Sequence, residues 1–507
     1  MRKCSITMTV QISPFNTDFQ EFLSDESKRT GTADAITFPT TEAEVIEAVR
    51  YANERGLKLI TQGARTGIVA GAVPEGGLII NLRSMNAIGE PTADGVVVQP
   101  GALLCDLRDI IEPVGLFFGP DPTETSASIG GMAACNASGA MSFYYGAMRS
   151  WVQSLRMVLS DGDVISIKRA ENFSKGRSFS LTTESGRTIS GQLPDYTMPD
   201  VKSAAGYYAA DDMDLIDLLI GSEGTLGIIT ETGLRLTPRP AAINGLTIFL
   251  PSEQAAIELV NAARSMFAES EAALVAIEFF NHDALDLLRN AKATNPAFEA
   301  IPALKDQYHT AIYVEFHAPD ADAIEEAAME LIETVMELGG SDEDTWFATT
   351  DRELEPIKAF RHATPEAVNL LIGERKRDVP ELTKLGTDMS VPDDCLADAL
   401  AMYNAGLSER GLESVIFGHI GNNHVHVNIL PHDMDQYSIG RELYLGWADK
   451  VVKMGGSVSA EHGIGRLKVP FLEMMYGNGT IAQMRALKKL FDPNGLLNPG
   501  VMFQAQG

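Results

Sequence analysis

The chain has 507 residues, beyond the size at which one hydrophobic core stops growing, so two or three domains with room for a buried ligand site are expected. Its 40 Lys+Arg against 69 Asp+Glu give a formal charge of -29, a field that repels phosphate backbones and argues against nucleic acid as a partner. A small anionic substrate then needs a pocket where a few cations or a metal ion override that field.

The N-terminal stretch MRKCSITMTVQISPFN has a short basic start but no apolar run of signal-peptide length before Ser13 and Pro14. No later segment is long and apolar enough to span a bilayer. The expectation is a soluble cytoplasmic protein, with peripheral docking on the inner face of a membrane left open. Cys4, Cys105, Cys135 and Cys395 lack CxxC spacing, which speaks against disulfide scaffolds, zinc knuckles and cysteine-ligated iron–sulfur clusters.

From Thr41 the spacing predicts a helix: Thr41 and Glu44 have capping-box separation, Val45, Ile46, Val49 and Ala52 form an apolar stripe, and Gly56 ends it. Strands follow at Leu57–Thr61 and Gly77–Leu82, with glycine turns at Gly63 to Gly67, Gly130-Gly131, Gly139, Gly146 and Gly221 to Gly227. Glycines at strand ends let several backbone N–H groups converge on one anion, and a pyrophosphate is a natural guest. No cluster reads GxGxxG after a strand and no GxxxxGK[ST] occurs, so Rossmann-type dinucleotide binding and P-loop chemistry lose their main support.

A second pattern starts near Leu246: strand TIFL, a helix from Glu253, strands LVAIEFF and TAIYVEF, a helix through Ile324 to Leu338, and strand Thr345 to Thr350. The order β-α-β-β-α-β is the ferredoxin-like arrangement and predicts a separate capping domain. From Asp351 the chain alternates helices with two short histidine-bearing segments and ends in a helix and the turn FDPNGLLNPG.

Four of the nine histidines, His419, His424, His426 and His432, crowd into or beside one stretch, FGHIGNNHVHVNIL. A strand there places His424, His426 and Asn428 on one face and Val425, Val427 and Ile429 on the other, and the Gly421-Asn-Asn turn can fold His419 back toward His426. Imidazoles joined by a carboxylate from elsewhere suit zinc, iron(II) or manganese, and Glu461 in Ser-Ala-Glu461-His462-Gly-Ile-Gly465-Arg466 is a candidate third donor. Hydrogen-bonded core or surface roles compete with metal binding for such a cluster.

The ordered glycine motifs resemble the vanillyl-alcohol-oxidase (PCMH) type of FAD-binding family, in its D-lactate, glycolate and D-2-hydroxyglutarate dehydrogenase branch. They are Gly63-Ala64-Arg65-Thr66-Gly67 after Gln62, Gly71-Ala72-Val73-Pro74, Pro122, Ile129-Gly130-Gly131, Asn136-Ala-Ser138-Gly139, Tyr145-Gly146 and Gly221-Ser-Glu223-Gly224-Thr-Leu-Gly227-Ile228. The resemblance implies an α+β fold: a two-subdomain PCMH-type FAD-binding domain over 1–240, a ferredoxin-like cap over 241–350, and a C-terminal segment over 351–507 that packs back on the first domain with helices, metal and substrate residues. It places those motif residues, with Glu461 and Asn498, around FAD. No His or Cys stands in the first loop, so the flavin is expected to be noncovalent. At Arg65 relatives more often carry a smaller residue.

The same resemblance makes His419, His426 and Glu461 metal ligands, His462 the general base and Arg361, in Lys358-Ala-Phe-Arg361-His362, the clamp on the substrate carboxylate. Asp388, in Thr387-Asp388-Met-Ser-Val-Pro392, and His424 are assigned to the substrate pocket. His424 replaces part of an Asp-Gly-Asn run, so orienting substrate, supporting the ligands and competing as a ligand all remain open to it. Gly386 and Thr387 stand before Asp388 where some dicarboxylate enzymes have a lysine, and Lys384 is further back, which favours a monocarboxylate. The implied reaction is oxidation of a small D-2-hydroxy acid to the 2-oxo acid with hydride transfer to flavin N5. Electrons then pass to a quinone, an electron-transferring flavoprotein, a cytochrome or a partner subunit, and peroxide-releasing oxidase activity is the weaker outcome. A flavin-carrying electron-transfer subunit of a larger complex is the alternative, redox-neutral chemistry like that of ether-lipid synthases a third, and a homodimer is compatible with either dehydrogenase reading.

Overall fold

A computed structural model describes residues 10–348 and 351–504. Cys4, the basic start and the last two residues of the expected strand Thr345 to Thr350 lie outside the described residues.

The first sheet has the order Ile12–Pro14, Ala35–Thr37, Leu78–Asn81, Leu59–Gln62, and its last three strands run parallel. Parallel neighbours need a crossover, and the helix Glu42–Arg55 supplies it. Thr41 caps this helix through the Glu44 N–H, Gly56 closes it at φ 63, and Val45, Ala48, Val49 and Ala52 are buried. The Glu44 carboxylate reaches back to the Thr40 N–H at 2.6 Å, one residue earlier than the capping-box spacing implies.

A second, antiparallel sheet is ordered Val96–Val98, Ile228–Leu234, Val152–Val158, Val164–Lys168. The last helix, Val469–Phe491, and the turn after it return the C-terminus to the first sheet. Leu59 N–H donates to Leu496 O at 2.7 Å and Asn498 N–H to Leu59 O at 2.8 Å.

The third sheet is the largest: Trp346–Phe347, Ala242–Leu250, Thr310–Ala318, Ala273–Phe280, Ser414–Gly418, His424–Ile429 and Leu385–Gly386 in that order, with Met389–Ser390 also paired to His424–Ile429. Its first four strands have the interleaved order of the ferredoxin-like arrangement. Two features differ from the sequence reading. A further helix, His282–Thr294, stands between the second and third strands, capped by Asn281 and burying Ala284, Leu285 and Leu288. The sheet also continues past the 350/351 boundary, because Phe279 and Phe280 pair with Gly418 and Phe417. The histidine strands therefore extend the cap's own sheet. Unpaired backbone along the Ala273–Phe280 edge gave them a template that sequence periodicity does not reveal.

One face of this sheet joins the core of the second sheet through Phe279, Ile312, Val314 and Phe316. The opposite face packs Phe280, Tyr313, Val415 and Phe417 under the helices His282–Thr294 and Asp351–Arg375. On that second face, cross-strand pairs bring Glu278 beside Tyr313 and Phe417 beside His426. Polar side chains on a covered face require partners, and those partners form the site described next.

Candidate active site

Between the first and second sheets lies a cavity of about 350 Å³. Its wall takes in Gly63, Ala64, Arg65, Thr66, Gly67, Ala72, Pro122, Gly130, Gly131, Ser138, Gly139, Glu223, Gly227, Glu461 and Asn498 from the expected set. The glycines are there for space and shape. A Cβ on Gly63 would stand 2.1 Å from Ser128 Oγ, and Gly139, at φ 124, has Asp121 O only 1.8 Å from where its Cβ would fall. Three buried polar atoms of the wall, Thr61 Oγ1, Ser222 Oγ and Arg65 Nη1, have no hydrogen-bond partner. Orphaned donors in a glycine-walled cavity fit a polar, anionic cofactor such as FAD. Arg65 sits at φ 65, and its guanidinium lies 4.3 Å above the Phe22 ring with Nη2 3.1 Å from Glu21 Oε2.

Seven expected cofactor residues stand behind this wall instead of in it. Gln62 donates from Nε2 to Phe22 O and Ala72 O, both at 2.8 Å, and so braces the first loop. Val73 accepts from Arg466 Nε at 3.0 Å, and Asn136 Oδ1 accepts from Arg149 N–H at 2.9 Å. Ile129 and Ile228 are fully buried core side chains, and Gly146 makes a turn at φ 73. Tyr145 turns away toward the cap, where its hydroxyl meets His317 Nδ1 at 2.7 Å.

At the cavity edge the hairpin of Ser414–Gly418 and His424–Ile429 folds as its turn residues require. Gly418 has φ 126, Asn423 occupies the left-handed region at φ 51, and His424 N–H donates to His419 O at 3.1 Å. This brings His419, His424, His426 and Glu461 together, with one potential ligand atom of each within 4.8 Å of the others. Glu461 Oε1 lies 3.3 Å from His419 Nε2 and 3.5 Å from both His426 Nε2 and His462 Nε2. The far nitrogens are held: His419 Nδ1 pairs with Glu278 Oε1 at 2.7 Å and His426 Nδ1 with Thr387 O at 2.9 Å. Histidines anchored on one nitrogen with the other turned to a shared carboxylate have the chemistry of a borderline divalent-metal site.

Two members of this cluster were not legible as motifs. Lys202 Nζ lies 2.8 Å from Glu461 Oε2, which also accepts from Ser138 Oγ at 3.1 Å. Glu278 is a lone carboxylate in the apolar strand Ala273–Phe280. That isolation was a usable signal, since a charge on a covered strand face needs a counterpart. Burial opposes charge on Glu461, yet Lys202 and His419 hold it well below the usual carboxylate range. Against the same burial, Glu278 and Glu461 push His419 up to about 9.

Asp388 does not face the open pocket. It is 1% exposed and forms the hub of the loop that carries Glu461 and His462. It accepts from the Glu461 and His462 N–H groups at 3.2 and 3.1 Å, from Ser459 Oγ at 2.9 Å and from Lys468 Nζ. His462 Nδ1 lies 3.2 Å from Asp388 Oδ2, while the His462 side chain, 29% exposed, lines the cavity. His424 is likewise 0% exposed and turned toward Asp388 and the other histidines, not toward the cavity wall. Its buried imidazole, beside His426, is pushed well below the usual histidine range and is therefore neutral.

Arg361 projects from the helix Asp351–Arg375 with its side chain 10% exposed. Its guanidinium lies 5.5 Å above the Tyr313 ring, and Nη2 is 3.7 Å from Asp121 Oδ2. Asp121 itself is held more closely by Arg108, at 2.9 Å. Despite burial, Glu278 and Asp121 raise the Arg361 pKa above its ordinary value, so the group is a permanent cation.

Residues 239–502 match the family model for the FAD linked oxidases, C-terminal domain, which is more than half of the chain, and residues 33–168 match the FAD binding domain. The chain belongs to the FAD-linked oxidase family. It is an FAD-linked oxidoreductase of mixed α+β architecture. Among curated relatives it is 31% identical over 471 residues to a D-lactate dehydrogenase of Archaeoglobus fulgidus, covering 92% of this chain and 90% of that protein. A D-2-hydroxyglutarate dehydrogenase of Xanthomonas citri pv. viticola is 30% identical over 482 residues, 93% of this chain and 89% of that protein. A D-lactate dehydrogenase of Anaerostipes hadrus is 29% identical over 490 residues, 95% of this chain and 92% of that protein. The fold is shared with p-cresol methylhydroxylase, at 15% identity and TM-score 0.70 over 97% of this chain and 94% of that one. Alkyldihydroxyacetonephosphate synthase matches at 17% identity and TM-score 0.61 over 93% of this chain and 77% of that one. No described helix is long and apolar enough to cross a membrane.

Proposed function

We propose that this FAD-linked oxidoreductase dehydrogenates a small D-2-hydroxy acid of the lactate type to its 2-oxo acid. The observation that carries the reading is the convergence of His419, His426 and His462 on Glu461, which with His462 lines the glycine-walled cavity, while buried Arg361 places its charge by Glu278, the partner of His419. When bound, FAD supplies the hydride acceptor at its N5, and a zinc, iron(II) or manganese ion held by His419, His426 and Glu461 supplies positive charge beside the substrate's 2-hydroxyl.

Arg361 binds the substrate carboxylate, for which its planar guanidinium offers two parallel bonds. Asp121, drawn off by Arg108, leaves that fork available. His462 accepts the hydroxyl proton at Nε2. Its Nδ1 lies 3.2 Å from Asp388 Oδ2, and the negative charge there favours the tautomer that leaves Nε2 free to accept. Asp388 thus acts through His462 and the Glu461 loop, a positioning role that replaces the substrate contact expected from sequence. Lys202 and Ser138 hold Glu461 Oε2, so that Oε1 alone faces the histidines. Gly386 and Thr387 stand directly before Asp388 where a lysine would offer a dicarboxylate a second cation, which favours a monocarboxylate. Re-oxidation then falls to a separate acceptor, a quinone, an electron-transferring flavoprotein or a partner subunit, met in solution or at a membrane face.

Anaerobic mixing of the flavin-loaded protein with a panel of D- and L-2-hydroxy acids tests this. Bleaching of the visible flavin absorbance by D-lactate or a close homologue is expected. A flavin unresponsive to every acid would replace the proposal with the passive electron-transfer subunit.

A further inference from the structure

We propose that His424 is a fourth protein ligand of the divalent cation, so that this chain holds its metal by three imidazoles and one carboxylate. The inference rests on the metal reading above and departs from its ligand set, which counts only His419, His426 and Glu461.

His424 is 0% exposed, and neither of its ring nitrogens has a hydrogen-bond partner. Nε2 lies 3.0 Å from Asp388 Oδ1 but off the hydrogen-bonding direction. A buried imidazole left wholly unsatisfied is costly in a native fold, and such a group calls for a reason. The reason is in its surroundings: the ring centroid is 4.4 Å from that of His426 and 5.4 Å from that of His419, and its potential ligand atom lies within 4.8 Å of those of His419, His426 and Glu461. An ion among the four satisfies one of the two orphaned nitrogens, and Asp388 lends its charge beside Nε2.

The supports repeat. Glu278 stands against His419, Thr387 O against His426, and Lys202 with Ser138 against the second oxygen of Glu461. Asp388 differs: its Oδ1 is 3.0 Å from His424 Nε2 without a hydrogen bond, so it offers that ring charge and not a fixed orientation. Each of the four residues presents a single donor, giving three nitrogens and one oxygen.

This count restricts the metal. Four protein donors close a tetrahedral zinc site, whereas a catalytic site must keep a position for the substrate oxygen. The ion that works here is one that readily accepts five or six ligands, such as iron(II) or manganese(II). Zinc bound at all four donors would hold tightly and block the substrate oxygen.

The test uses the flavin-loaded full chain, stripped of metal and titrated with cobalt(II). Chelator competition reads affinity, the visible cobalt bands read geometry, and X-ray absorption of the cobalt-loaded wild type counts imidazoles. Three imidazoles are expected in the wild type, and His424→Asn should show shifted bands and cobalt binding weakened beyond the roughly ten- to a hundredfold that loss of a mere supporting partner costs. Two imidazoles in the wild type, or unchanged affinity and bands in the variant, would overturn the fourth ligand while leaving the three-ligand metal reading intact. A wild type that binds no cobalt would sink both. If His424→Asn loses its flavin through misfolding, the imidazole count in the wild type decides alone.

Discussion

Lys202 Nζ lies 2.8 Å from Glu461 Oε2, on the side of the carboxylate turned away from His419 and His426. This buried pair, with side chains 7% and 11% exposed, orders the carboxylate before any cation arrives. It also sets a fixed positive charge against the incoming one. At short range in a poorly solvated site that repulsion outweighs the loss of orientation. Lys202→Met is therefore expected to bind manganese(II) roughly tenfold more tightly in a chelator competition, while turnover falls because Glu461 is no longer held to one oxygen. Weaker manganese binding would show that orientation dominates.

How much of this arrangement was readable beforehand depended on whether a residue's partners were close in sequence. The hairpin carrying His419 and His426 was legible because alternation and a Gly-Asn-Asn turn are local signals. Its membership of the cap sheet was not, since the pairing of Phe279 with Gly418 links segments more than a hundred residues apart. Asp388 illustrates the same limit. Its place next to a pocket strand was readable, but its orientation is decided by Lys468, Ser459 and the Glu461 loop, all distant in the chain. The helix His282–Thr294 is different: Asn281 as cap and the Leu285 and Leu288 spacing were local signals that the apolar strands on either side obscured.

His462 is 29% exposed, the most open of the clustered histidines, and its Nδ1 is 3.2 Å from Asp388 Oδ2. A base removed without disturbing the ligands should affect the chemical step alone. His462→Asn is expected to keep flavin and metal while slowing anaerobic flavin reduction at saturating substrate by a factor on the order of 10² to 10⁴. Stopped-flow absorbance measures it directly. A reduction rate matching the wild type would remove His462 from the proton transfer.

Among the described residues Arg361 makes a 3.7 Å approach to Asp121 and a 5.5 Å stack on Tyr313, contacts that do not engage both arms of its fork. A carboxylate paired with it gains charge-assisted bonds that are present in both ground and transition states. Loss of uniform binding raises KM and leaves kcat nearly unchanged. For Arg361→Met, KM for the hydroxy acid should rise roughly 10- to 100-fold, from bonds worth about 1.5–3 kcal/mol. Arg361→Lys should recover only part of the loss, because an ammonium cannot reproduce the bidentate geometry. Steady-state kinetics of both variants test this, and an unchanged KM in Arg361→Met would dispose of the clamp.

Glu223 ties flavin-cavity stability to pH. Its carboxylate is 6% exposed and receives the Ile464 and Gly465 N–H groups at 2.8 and 2.7 Å. Burial pushes its pKa up to about 7, against the downward pull of those two bonds and of Lys468. For an acid whose folded pKa lies above its unfolded value near 4.5, the folded chain binds more protons between the two. Its contribution is therefore greatest below pH 4.5 and falls as pH rises to 7, by on the order of 3 kcal/mol. Denaturant unfolding of the wild type and Glu223→Gln at matched saturating FAD isolates this group. The wild type should lose stability relative to the variant across that window, even though Gln leaves one backbone N–H without its acceptor at every pH. Parallel stability curves would mean that the two N–H groups win over burial and keep the carboxyl in its ordinary range.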